Sequence, residues 1–124
     1  MHLSLDRDRT LNTIRAYREG ALTVNDGMVV ERSLLIMPDQ LVTDWPPQSL
    51  GELEPQHCER LAELEPELVI LGTGAQQQFP HPRLTQGLLE RQIGVEVMAT
   101  GPACRTYNIV CAEGRRVLAA LFMI

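Results

Sequence analysis

Lysine is absent from this sequence, and every basic side chain in it is an arginine. That absence excludes Schiff-base chemistry and a P-loop, since both need a lysine amine. Aromatic residues are scarce as well, at 4% of the chain. The interior must therefore be aliphatic, built from Leu, Val, Ile and Ala. Positive charge is also in short supply: the formal net charge is -5, and no basic run exceeds Arg115-Arg116. Nucleic-acid binding is excluded on that ground, because it needs a cationic footprint that displaces counterions from phosphates. The three cysteines, Cys58, Cys104 and Cys111, form no C-x-x-C pair. On a helix, Cys104 and Cys111 would share a face about 10 Å apart, beyond the roughly 7 Å that a disulfide spans. An odd number of thiols fits a reducing compartment. The longest apolar run, "VLAALFMI", falls well short of the roughly 20 residues of a spanning helix. The opening "MHLSLDRDRT" carries too many charges for a secretory signal. Together these features predict a cytoplasmic protein without a transmembrane segment, and they leave peripheral membrane association open.

What is present is enough residues, 124, for one sheet covered by a few helices. Residues 1–12 are polar and expected to be loose; 13–124 are expected to form a single domain. From Thr13 the pattern is strand-like: "TIRAYREGALTV", "MVVERSLLIM" and "LVTDW". Asn25-Asp26-Gly27 marks a hairpin turn, since Asn and Gly tolerate positive φ, and Pro38-Asp39-Gln40 marks the next turn. This predicts an N-terminal β-meander of three or four strands. Pro46-Pro47 ends it.

Pro55 then suits the first turn of a short helix, which carries Cys58, Leu61, Ala62 and Glu65 on one face and ends near Pro66. "ELVILG" has the near-continuous apolar character of a strand buried on both faces. "PRLTQGLLERQIG" is expected to be a helix with Pro82 at its start and Gly94 as its C-terminal cap. "VEVMAT" is another buried strand. In "ACRTYNIVCAEG", Ala103, Tyr107, Val110 and Cys111 recur at helical spacing between Gly101-Pro102 and Gly114, so the segment is expected to be a helix. "RRVLAALFM" closes the sheet. The predicted fold is thus a three-layer α/β arrangement: a central mixed sheet, the meander, and a β-α-β-α-β C-terminal half, with parallel pairing of 68–71 and 95–98.

The loops after those two strands, "GTGAQQQFPHP" and "ATGPACR", are the natural place for a ligand in an open α/β sheet. Each contains glycine and precedes a helix, so backbone N–H groups could face an anion. The candidate ligand-binding residues are Gly72, Thr73, Gly74, Arg83, Thr100, Gly101, Cys104 and Arg105. As a dinucleotide fingerprint the first loop fails, because Gln77 stands where Gly or Ala is needed and Pro80 and Pro82 delay the helix. Glycines that turn the chain off a strand explain it more simply.

Cys104 beside Arg105 at a helix start has two readings. A thiolate there would be stabilised by unpaired N–H groups and the cation; a thiol there could equally be packed in the core, the commoner fate of cysteine. No histidine neighbours it in sequence, and its adjacency to Arg105 differs from phosphatase loops, which separate the two residues. Packing is the expectation, and no catalytic residue is assigned. His57-Cys58 would point about 100° apart on a helix and has no second ligand cluster, so no metal or cofactor site is expected. Trp45 is expected to seal the edge of the core, Tyr107 to pack and Asn108 to bond backbone. Glu52, Glu54, Glu63, Glu65 and Glu67 give an acidic face around the first helix, solvated or used against a partner.

Several segments together, "GALTVND", "SLLIMPD", "DW", "LVILGTG" and "GVEVMATGPACRTYNIVCAEGRRVLAAL", resemble a family of small domains of unknown function. That family includes the respiratory complex I assembly factor 3 and the adipogenesis-associated domain protein. The resemblance spans roughly residues 13 to 122, and its most specific part runs from Thr100 to Asn108. It implies a three-layer α/β fold around a mixed sheet. It also implies a non-enzymatic role as an interaction or assembly module, working with a protein partner, at the level of family analogy. The alternative is a small-molecule or anion binder, or an enzyme, using the crevice between the 72–82 and 99–105 loops. The sequence assigns neither the partner nor an oligomeric state.

Overall fold

A computed structural model of the chain describes residues 11–124. The expectation of a loose start at residues 1–12 lies, for residues 1–10, outside the described residues. Asn12, by contrast, is tied down. Its backbone N–H donates to the Pro38 carbonyl at 2.9 Å and its side chain to the Met37 carbonyl at 3.0 Å.

The first expected strand is in fact a hairpin. Gly20 takes a positive φ of 79°, reversing the chain between β1 (Ile14–Arg18) and β2 (Ala21–Val24). The second turn falls where Asn25-Asp26-Gly27 predicts, with Asn25 at φ 57°, and leads into β3 (Met28–Val30). "MVVERSLLIM" also divides. Beyond β3 the chain leaves this three-stranded antiparallel sheet, ordered β1-β2-β3. It enters a second sheet as β4 (Leu34–Met37) and turns back as β5 (Gln40–Val42). Five short strands therefore replace the three or four expected.

The second half follows the sequence pattern closely. A 3-10 turn at Leu50–Glu52 leads to α1 (Pro55–Glu63), then β6 (Leu68–Gly72), α2 (Pro82–Glu90), β7 (Gly94–Met98), α3 (Thr100–Ala112) and β8 (Val117–Leu121). Gly94 is not the cap of α2. The left-handed position after that helix is Gln92, at φ 62°, and the Ile93 N–H returns to the Leu88 carbonyl at 3.0 Å. Gly94 instead opens β7, where an added Cβ would stand 3.3 Å from Leu68 Cδ1. Gly114, at φ 84°, does close α3.

The five-stranded sheet has the order β5-β4-β8-β6-β7. β6 runs parallel to both β7 and β8, whereas β4 runs antiparallel to β8 and to β5, so the sheet is mixed. β8 lies at its centre and is buried on both faces. Alternation along it divides the core: Leu118, Ala120 and Phe122 pack with Cys58, Leu61, Leu84 and Leu88 of α1 and α2. Val117, Ala119 and Leu121 pack with Cys104, Tyr107 and Cys111 of α3 and with Ile14, Leu22 and Val30 of the small sheet. The result is three layers. Both halves are mainly aliphatic, with Trp45 and Phe122 in one and Tyr107 in the other, and each fully buried Leu, Ile or Val contributes about 1.5–3 kcal/mol of transfer free energy.

Candidate functional site

The loops leaving β6 and β7 meet at the start of α3, and hydrogen bonds stitch them together. The Gly74 N–H donates to Thr100 Oγ1 at 2.8 Å, and that hydroxyl donates onward to the Phe122 carbonyl at 2.6 Å. The Thr100 N–H returns to the Gly74 carbonyl at 2.9 Å, and the Thr73 N–H reaches the Met98 carbonyl at 2.9 Å. Thr73 Oγ1 donates to the Gln76 carbonyl at 2.7 Å and accepts the Gln78 N–H at 3.1 Å, which folds the loop back on itself. Gln77 extends the same closure to the sheet edge, its amide donating to the Val97 carbonyl at 2.9 Å.

Gly72 is closely packed as well. An added Cβ would lie 2.8 Å from Leu121 Cδ2, 3.0 Å from Thr100 Oγ1 and 3.1 Å from Ala103 Cβ. Gly74 needs its glycine for its backbone, at φ 100°. The amides of Thr73, Gly74 and Thr100 are thus used within the chain. Where the sequence suggested a crevice between the 72–82 and 99–105 loops, Gly72, Thr73, Gly74 and Thr100 form a packed seam.

Cys104 and Arg105 face elsewhere. Together with Ile14, Arg15, Ala16, Tyr17 and Asn108 they line a depression of about 340 Å³ between β1 and α3. Asn108 anchors β1 there. Its side-chain oxygen accepts the Ile14 N–H at 2.9 Å, and its amide donates to the Ile14 carbonyl at 2.7 Å, as a neighbouring strand would. Gly101 lets the Tyr17 ring approach the helix start, where an added Cβ would be 3.0 Å from the ring. Arg105 donates to the Tyr17 hydroxyl, and its guanidinium carbon lies 5.8 Å from the ring centroid. Arg83 belongs to a third place. It lines a groove of about 410 Å³ between α1 and α2 with Pro55, Cys58, Glu59 and Arg91, and its N–H is capped by His81 Nδ1 at 3.1 Å.

All three thiols are buried and free. Burial pushes the Cys104 thiol up to about 12, and the neighbouring Arg105 guanidinium offsets this only in part. Burial alone pushes the Cys58 thiol up to about 11. A reactive thiolate needs the opposite shift, so the packing reading of Cys104 is the one this geometry supports. Tyr107 is also raised, first by burial and then by Cys111 and Asp39; its hydroxyl donates to the Asn12 carbonyl at 2.8 Å.

These shifts have a signed consequence for stability. A folded-state pKa above the unfolded value means that the unfolded chain loses its proton first. Stability is then full below about pH 9, the ordinary value of the thiols. It falls as pH rises through 9 to 12, by up to about 1.4 kcal/mol per pH unit for each thiol. Urea titrations at stepped pH are expected to show a plateau to pH 8 and a steep decline beyond 9. A flat profile to pH 11 would contradict neutral, buried thiols.

Arg15, Tyr17 and Asn108 complete the depression around Cys104 and Arg105, yet the sequence marks none of them as site residues. The pairing register of β1 and β2 shifts between Ile14 and Ala16, which leaves Arg15 as the extra residue of a bulge. Nothing local in "TIRAY" signals that.

Comparison with known proteins covers nearly the whole fold. A family model described as "Protein of unknown function (DUF498/DUF598)" matches residues 14–122. The mouse protein "NADH dehydrogenase [ubiquinone] 1 alpha subcomplex assembly factor 3" is 34% identical over 110 residues, 87% of this chain. The chain spans only 58% of that relative's length. A crystal structure of a Bordetella parapertussis protein superposes with a TM-score of 0.86 at 37% identity, covering 93% of this chain and 98% of the other. A Bartonella henselae protein described as an outer membrane protein superposes with a TM-score of 0.79 at 28% identity, covering 93% and 97%. Among the described residues, no helix is long and apolar enough to cross a membrane.

Proposed function

The chain belongs to the DUF498/DUF598 family of proteins of unknown function, and from this membership we propose that it is a non-enzymatic interaction module. Its role in this reading is to help assemble a membrane-associated protein complex by binding a protein partner. The observation that carries the proposal is its 34% identity to a protein named as a complex I assembly factor, over 87% of this chain.

The surface is compatible with such work. Met28 and Val29, on the outer strand of the small sheet, are 52% and 53% exposed, and Ile109 on α3 is 62% exposed. Met28 and Val29 point to opposite faces of β3, so a partner that meets both would extend or wrap the edge of this strand. The location that goes with this reading is the cytoplasm, with attachment at a membrane surface. Three unpaired thiols fit a reducing compartment.

The test is capture of the tagged protein at native abundance from soluble and membrane fractions, followed by mass spectrometry. A reproducible, near-stoichiometric partner is expected, and the double substitution Met28→Glu, Val29→Glu should reduce its recovery while leaving the fold intact. A blank in both fractions would overturn the proposal.

A further inference from the structure

The depression between β1 and α3 stands apart from the closed seam and from the groove that Arg83 lines. Its makeup is unusual for a protein of net charge -5. Two arginines, Arg15 and Arg105, a phenol and a carboxamide line it, and among the described residues no carboxylate does. Among the described residues neither guanidinium forms a salt bridge; the pairs present are Arg115 with Glu67 and Arg116 with Asp39.

Both arginines are also held in place. Arg105 is fixed by its hydrogen bond to the Tyr17 hydroxyl, its guanidinium carbon 5.8 Å from the ring centroid. Arg15 is fixed by a hydrogen bond from Nη1 to the Asp26 carbonyl at 3.0 Å. Each guanidinium keeps further N–H donors in its planar fork. The bulge in β1 falls at Arg15, and a bulge is the backbone's device for re-aiming a side chain beside a site. The Asn108 clasp on Ile14 fixes the distance between strand and helix at the same level.

We propose that this depression binds an oxyanion, a carboxylate or phosphate group, between the guanidinium groups of Arg15 and Arg105. Charge-assisted hydrogen bonds from guanidiniums are strong and directional, and the Tyr17 hydroxyl holds Arg105 in position. The oxyanion comes either from a free small molecule or from an acidic side chain of another protein. The inference does not depend on the assembly role proposed above, because the site would bind such a group in either case.

The experiment is a titration of the purified chain with inorganic phosphate, with succinate, and with a blocked tetraglutamate peptide, each against sodium chloride at matched ionic strength. Thermal unfolding and the arginine Nε–H resonances are followed together. The expected result is saturable movement of the Arg15 and Arg105 resonances and a rise in Tm of about 2 °C or more with at least one probe. Arg15→Gln and Arg105→Gln should each weaken the apparent affinity by about tenfold or more, whereas Arg60→Gln, on α1, should not.

Saturation by phosphate or succinate identifies a free small anion as the source. Saturation by the peptide alone identifies a protein carboxylate. Responses equal to those of sodium chloride, or unchanged in folded Arg15→Gln and Arg105→Gln proteins, would overturn the proposal. Circular dichroism of each variant establishes that it is folded, and an unfolded Arg105→Gln protein is replaced by Arg105→Lys, which keeps the charge but lacks the fork.

Discussion

Replacing Thr100 with valine is expected to lower the free energy of unfolding by about 2–4 kcal/mol, although the two side chains have nearly the same shape. The cost lies in the partners left behind. Thr100 is fully buried, and its hydroxyl both accepts the Gly74 N–H and donates to the Phe122 carbonyl. Valine leaves a buried donor and a buried acceptor unmatched, at about 1–3 kcal/mol each. Thr100→Ser keeps both bonds and loses one methyl group, so it should cost only about 1 kcal/mol. Urea denaturation of the two variants separates these effects, and the Gly74 amide in Thr100→Val should exchange faster with solvent. Equal stabilities for Thr100→Val and Thr100→Ser would show that the seam owes its stability to packing and not to the hydroxyl.

The second large effect is at Trp45. Trp45→Ala is expected to cost about 3–5 kcal/mol, the range for deleting a large aromatic side chain from a core. The ring is fully buried and stacks on Phe122 with centroids 5.4 Å apart and planes 15° from parallel. It also meets His57 in a T-shaped pair with centroids 6.3 Å apart, so it joins the sheet to α1. His57 itself accepts the Glu54 N–H at 2.9 Å, fixing the start of that helix.

Trp45→Phe should be far milder. The indole Nε1 has no protein acceptor among the described residues, so phenylalanine gives up no hydrogen bond and removes a buried donor that costs about 1–3 kcal/mol. A loss in Trp45→Phe as large as in Trp45→Ala would mean that the second ring of the indole, not aromatic stacking, carries the contact. Because aromatics make up only 4% of the chain, the stack on Phe122 has no counterpart among tryptophans elsewhere in the core.

Local pattern carried most of the second half of the fold. The apolar run at residues 68–72, the helical spacing of Ala103, Tyr107 and Cys111, and the stop at Gly114 appear in the structure as β6, one buried face of α3 and its left-handed terminus. Burial of Cys104 and Trp45 followed from residue type. Periodicity and capping act within a few residues, so a sequence displays them directly. The first half was less legible for the same reason. "TIRAYREGALTV" is uniformly strand-like, and only Gly20 hints that it turns. "MVVERSLLIM" looks like one strand, yet its two ends join different sheets.

The site depended on tertiary structure still more. The glycine-bearing loops satisfied every requirement for an anion cradle until Thr100, 26 residues from Gly74, took up the amide that the cradle would have offered. Arg15 and Arg105 are brought to one depression by a bulge and by a clasp between residues 94 apart, Ile14 and Asn108. By itself, then, the sequence determined an aliphatic three-layer α/β domain without lysine chemistry, with Cys104 placed for burial. Tertiary structure alone decided which polar groups satisfy one another and which meet at the surface. Hydrogen-bond partnership across long loops is set by how the layers dock, and docking depends on shape summed over the whole core, which no local pattern encodes.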